Sequence, residues 1–286
     1  AALSLAGSWG LAFRALSADT SPPLNQDTFD KVLLKFHTSE PTAQQSIELL
    51  QLCQQAARIS TTTLQSKITT AKVAKRIKSL KHAAHPGIAK GRNSHLSALL
   101  KTPYGAESIR LWAIAWASGN VPPEAVELWT KGFVKPLSKK SGEGVRPISM
   151  FETLLKLATG LVLDVSKPSI IKAVGPHQYG ALLSAGADKM IYNLRALAVA
   201  KPTHVFVATD IKNAFGAVPR NKALAALLKH APSLAPIMSL FWRPHSTSLL
   251  IPNSSSTNQQ IQVTQGVFQG ECLSTAVFCI FLREVI

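Results

Sequence analysis

Asp210 follows directly on HVFVAT (His204–Thr209), a β-branched and aromatic run that reads as the best buried strand in the chain. A carboxylate at the open end of such a strand is fixed by the sheet and exposed to solvent, which suits a hard cation such as Mg²⁺. An aspartate that merely caps the turn after a strand would sit at the same place. About fifty residues further on, TQGVFQGECLSTAVF (264–278) is a Gly-rich loop leading straight into an apolar helix. Its glycines let backbone approach a bound group closely. Upstream, KPLSKKSGEGVRPIS (135–149) sets Lys139, Lys140 and Arg146 in and beside an exposed hairpin turn. Guanidinium binds phosphate in a planar fork and lysine adds a mobile point charge.

A second cluster is defined by what it lacks. No acid occurs between Glu48 and Glu107, while Arg58, Lys67, Lys72, Lys75, Arg76, Lys78, Lys81, Lys90, Arg92 and Lys101 supply ten bases. A polyanion is the natural partner, with salt-dependent binding as counterions are released. A solvated helix face with a basic loop behind it is the plain alternative. His82 and His85, with Cys53 upstream, have no local cysteine or carboxylate pair and read as basic surface rather than a zinc site. Trp112 and Trp116 stand at helical spacing and read as core.

These groups need a scaffold. Apolar periodicity predicts helices over Phe29–Phe36, Ser46–Ile59, Thr70–Leu80 and Ser108–Ala117, with HPGIAKGRNSH (85–95) as a loop and VPPE (121–124) as a turn or helix start. From Trp129 the texture changes. Extended segments at Phe133–Leu137 and Val145–Met150 precede helices at Glu152–Val165 and Ala187–Ala200. After the HVFVAT strand come a helix from Pro219 to Lys229, a hairpin of Ser246–Ile251 with Gln259–Thr264, and an apolar helix from Leu273 to Ile286. The expected fold class is α+β, with a basic, mostly helical leader over 1–128 and a second unit over 129–286.

Composition bounds the function. The 286 residues are 46% hydrophobic, which excludes disorder throughout, and carry 31 Lys+Arg against 15 Asp+Glu, a net charge of +16. Cys53, Cys272 and Cys279 cannot make a disulfide framework, so a reducing, intracellular setting (cytoplasm or nucleus) is expected. No apolar stretch approaches the roughly 18 residues a membrane span needs. The start has neither an initiator Met nor a basic segment ahead of its apolar residues, so no signal peptide is read and the chain is expected to be an internal piece of a longer one.

Taken in order, the basic hairpin, the helices, the Asp210 strand with Phe215 five residues on, and the Gln-Gly loop resemble the reverse transcriptases of non-LTR retrotransposons and group II introns. The resemblance covers roughly 129–286 and, more loosely, the basic helices before it. It implies a right-hand polymerase fold, with fingers and part of the palm in this chain. Arg146 would grip the incoming triphosphate, with Lys139 or Lys140 as a second contact. Asp210 would be the first metal-binding aspartate, and Ile211 would offer its backbone carbonyl. Phe215 would lie beneath the sugar and exclude a ribose 2′-hydroxyl, which favours deoxynucleoside triphosphates. Gln269 and Gly270 would support the nascent base pair, and Gln178 in GPHQYG matches a glutamine between fingers and palm. An RNA template and DNA primer are the implied partners, and Lys67, Lys72, Lys75, Arg76, Lys78, Lys81, Lys90 and Arg92 the expected contacts to a strand backbone.

The chain departs from that family in two ways. Where the family has Gly-Val-Pro-Gln-Gly, Phe268 replaces the proline, and Thr275 replaces the proline of the following Leu-Ser-Pro. Two-metal phosphoryl transfer also needs converging carboxylates. After Asp210 the only acids are Glu271 and Glu284, and Glu271 matches a variable polar position. The expectation is an amino-terminal polymerase fragment, inactive alone, whose parent uses Mg²⁺. A catalytically inactive nucleic-acid-binding remnant is the alternative.

Overall fold

The structure is a computed structural model that describes residues 21–36, 40–80, 86–139, 144–180, 182–243, 247–252 and 258–285. Lys81 and Lys140, with His82 and His85, lie outside them. The chain is α+β. Among the described residues seven helices come first: α1 (Gln26–Leu33), α2 (Ala43–Ala57), α3 (Thr62–Lys67), α4 (Thr70–Ser79), α5 (Asn93–Leu99), α6 (Gly105–Ala117) and α7 (Pro123–Trp129). Side-chain caps set several starts. Asn25 accepts from the Thr28 N–H, and Thr42 exchanges bonds with Gln45 in a capping box at the head of α2. Asn93 opens α5 inside the stretch expected to be loop.

The hairpin β1 (Gly132–Ser138) and β2 (Val145–Met150) follows as expected, in the antiparallel register Phe133↔Met150 to Ser138↔Val145. Helix α8 (Thr153–Val174) runs well past its expected end at Val165 and passes through Pro168. Then come α9 (Gly186–Ala200), α10 (Arg220–His230), a single 3₁₀ turn (Pro232–Leu234), α11 (Ala235–Trp242), the hairpin β3 (Ser248–Pro252) and β4 (Asn258–Gln262), and α12 (Ser274–Leu282). The sheet order is β2-β1-β3-β4, with β1 and β3 parallel through Gly132↔Leu249 and Phe133↔Leu250.

One apolar core extends from Phe29 and Val32 to Val277 and Ile280. Helix α2 packs on α10 and α11, and α4 and α6 pack on α8. Helix α11 (APIMSLFW) has every residue buried. Its apolar surface runs all round, so no amphipathic period marks it in the sequence. Trp116 is buried, and Trp112 stacks against both Trp116 and Trp129, so the tryptophan pair is core as expected.

One element is corrected. His204–Thr209 is not a buried strand: it has no regular secondary structure, and Val205, Phe206 and Val207 are 86, 52 and 81% exposed. Strand composition records fit to a half-buried pleated surface, and a strand forms only where a neighbour accepts its N–H and C=O groups. Among the described residues no strand pairs with this segment. The preceding α9 shares its situation, since Met190, Ile191, Tyr192, Leu194, Leu197 and Val199 are exposed. No described helix is long and apolar enough to cross a membrane.

Candidate functional site

The turn after Asp210 and the Gln-Gly loop are joined by main-chain bonds. The Val267 N–H donates to the Phe215 carbonyl at 2.9 Å and the Gly266 N–H to the Val218 carbonyl at 2.9 Å. The Gln265 amide donates to the Ala217 carbonyl at 3.0 Å. Gly266 has a φ of 88°, and a Cβ there would lie 2.7 Å from the Gly216 carbonyl oxygen, so the contact requires glycine. Phe215 packs its ring on Phe278 of α12 at 5.3 Å. Asn213 bonds the Lys35 carbonyl at 3.1 Å, which ties the same turn to the end of α1.

The loop is fastened equally closely to strand β2. The Ser149 N–H of β2 donates to the Gln269 carbonyl at 2.7 Å. Gly270, with φ of 111°, comes so near that a Cβ would meet the Ser149 carbonyl oxygen at 2.6 Å. Gln269 and Gly270 are exposed. Arg146 is exposed three residues back along β2, about 10 Å at strand rise, opposite Leu137. Lys139 is exposed at the hairpin turn, its N–H bonded to the Gly144 carbonyl.

A buried polar unit that residue types alone do not announce lies under the loop. Arg220, the first residue of α10, is buried, and donates through Nε to the Gly266 carbonyl at 3.2 Å and through Nη1 to that of Val263 at 2.7 Å. Its guanidinium sits 5.6 Å from the centre of the Phe268 ring, and its Nη2 has no partner. Burial pulls its pKa down from the ordinary arginine value. Phe268 also packs edge-on to Phe151 at 5.2 Å. Its N–H donates to the Ser274 hydroxyl at 3.1 Å, a bond proline cannot make. Ser274 in turn donates to Glu271 Oε2 at 3.1 Å, which also accepts from the Leu273 N–H at 2.8 Å. Glu271 is thus turned into the protein beneath the loop, and burial pushes its carboxyl up. The sequence shows of this unit only an arginine directly after Val218-Pro219, which carries no mark of its burial.

Asp210 and Ile211 are exposed, and no hydrogen bond joins Asp210 to the loop or to β2 among the described residues. No group of three or more His, Cys, Asp or Glu among them could hold a metal. One carboxylate and one carbonyl are too few hard oxygens for Mg²⁺, so the described residues do not by themselves fit the ion. Gln178 is spent locally, its side-chain oxygen accepting from the Gly180 N–H at 2.9 Å. Cys53 donates to the Ser239 carbonyl inside the core, where burial pushes its thiol up to about 11.

Most of the basic block is presented to solvent. Lys67, Lys72, Lys75, Lys78, Lys90 and Arg92 are exposed. Lys90 and Arg92 ride on a loop that Glu152 holds, with Oε1 accepting the Ala89 N–H at 2.7 Å and Thr153 donating to the Gly91 carbonyl. Glu152 and Thr153 stand two and three residues past the end of β2, so part of the block is tied to the start of α8, just beyond the strand that bears Arg146. Arg76 instead forms an ion pair with Asp164 of α8. No family model matches this chain, and no curated protein matches it.

Proposed function

We propose that the chain is the fingers and partial palm of an RNA-directed DNA polymerase, which in its intact parent adds deoxynucleotides to a primer 3′-hydroxyl on an RNA template. One observation carries the reading: three motifs far apart in sequence are stitched together by main-chain bonds, Phe215 to Val267 and Gln269 to Ser149 on the Arg146 strand. A loop fixed in this way holds its exposed Gln269 and Gly270 rigidly, as a support for a base pair requires. On this reading Arg146 and Lys139 neutralise triphosphate charge and Phe215 limits the space beneath the sugar. The exposed lysines of α4, with Lys90 and Arg92, follow the strand backbone, whose A-form shape matters more than its sequence. On this reading Mg²⁺ would be held by Asp210 and the Ile211 carbonyl together with oxygen ligands that the described residues do not supply.

A second reading, a nucleic-acid-binding protein without catalysis, is favoured by the lone Asp210 and its exposed, unpaired approach segment. The experiment is one preparation assayed twice. Binding of a labelled RNA–DNA primer-template should weaken steeply as salt rises, and a flat salt response would remove the phosphate-contact basis of both readings. Primer extension by the 286-residue chain with Mg²⁺ and deoxynucleotides should be absent, and measured extension would show that the carboxylate count is wrong.

A further inference from the structure

Helix α4 carries Lys72, Lys75, Arg76 and Ser79 at positions i, i+3, i+4 and i+7, a single stripe beside the buried Val73 and Ile77. That stripe and Asp164 of α8 line a cavity of about 430 Å³. Arg76 is laid across α8 because position 160 is glycine: a Cβ there would stand 2.4 Å from Nη2. Its Nη1 reaches both Asp164 oxygens, at 3.2 and 3.1 Å, while its Nε is buried with no partner. The site therefore holds three cations against one carboxylate, and one guanidinium donor is unsatisfied.

We propose that this cavity seats one phosphodiester of a bound nucleic-acid strand, and that Asp164 is its built-in competitor, released from Arg76 when the phosphate enters. The proposal rests on the nucleic-acid reading above and adds a particular seat and its regulation. Lys72 and Lys75 are like charges one turn apart, an arrangement that disfavours the helix until an anion lies between them. An ion pair whose carboxylate is half open to water contributes little and is readily exchanged. A phosphate gains a forked guanidinium and two ammonium groups in its place. Swinging toward the cavity also frees Nε to donate.

The test is fluorescence anisotropy of a labelled single-stranded RNA with the full chain over a range of KCl. The proteins are wild type, Asp164→Asn, Asp27→Asn and the double variant Lys72→Ala/Lys75→Ala. Asp27 pairs with Lys31 on α1, away from the block, so Asp27→Asn makes the same change in net charge elsewhere. Asp164→Asn is expected to tighten binding about fourfold at 0.15 M salt and to leave the salt slope nearly unchanged, because the same phosphate is seated in both proteins. The double variant, with both side chains exposed and its melting temperature checked, should flatten the salt slope by about 0.7, the one phosphate contact the seat makes. Salt-dependent wild-type binding with Asp164→Asn no different from Asp27→Asn would overturn the seat alone. A wild-type response insensitive to salt would overturn the nucleic-acid reading and the seat together.

Discussion

Phe268 donates its N–H to Ser274, lays its ring edge-on to Phe151 and receives the Arg220 guanidinium on its face. Replacing it by alanine removes a buried ring at the centre of the Gln-Gly loop and should cost about 3–5 kcal/mol in urea unfolding. A loss under about 1 kcal/mol would mean the loop is held without it. Glu271 gives a pH signature. Burial raises its folded-state pKa above the ordinary carboxyl value of 4.5, so the folded chain keeps a proton that the unfolded chain releases. Its contribution is full below about 4.5 and is lost as pH rises through the folded value. Glu271→Gln should flatten stability against pH on the alkaline side of 4.5, and an unchanged profile would show that the carboxyl is not held neutral. Neither role could be read from residue type. Phe268 looked like a lost proline and Glu271 like a variable polar residue, because what defines them is the partner each meets in space.

At the scale of elements, the sequence was most legible where polarity alternates across an element. Amphipathic α1, α2 and α4 and the two hairpins stand close to where periodicity and turn residues put them. It was least legible where that contrast vanishes. Helix α11 is buried on all sides and shows no stripe, and HVFVAT has the composition of a core strand but no partner strand among the described residues. The two cases invite the same measurement with opposite outcomes. Val205→Ser with Val207→Ser should change stability by less than about 0.5 kcal/mol each, as exposed positions do, whereas Leu240→Ala in α11 should cost about 2–5 kcal/mol. A large loss at Val205 or Val207 in denaturant unfolding would restore the buried strand.

At the scale of the whole molecule, the leader helices and the sheet-bearing part share a core rather than meeting across a water-filled boundary. Helix α2 packs on α11, and the Cys53 thiol reaches the Ser239 carbonyl across it. Unfolding followed by far-ultraviolet circular dichroism and by the fluorescence of the buried Trp116 and Trp242 should therefore give one coincident transition. Two resolved steps would mean that the packing between α2 and α11 is weak. The parallel pairing of β1 with β3 has a consequence in time. Gly132 and Leu249 are separated by more than a hundred residues, which a ribosome adds at about 5–20 per second. The hairpin of β1 and β2 thus emerges many seconds before its neighbour exists, with the inner edge of β1 open. A chain leaving the ribosome spends that interval as a two-stranded ribbon with a sticky side. Chaperone capture or misassembly is expected to concentrate in this window, when synthesis stands between residues 150 and 250.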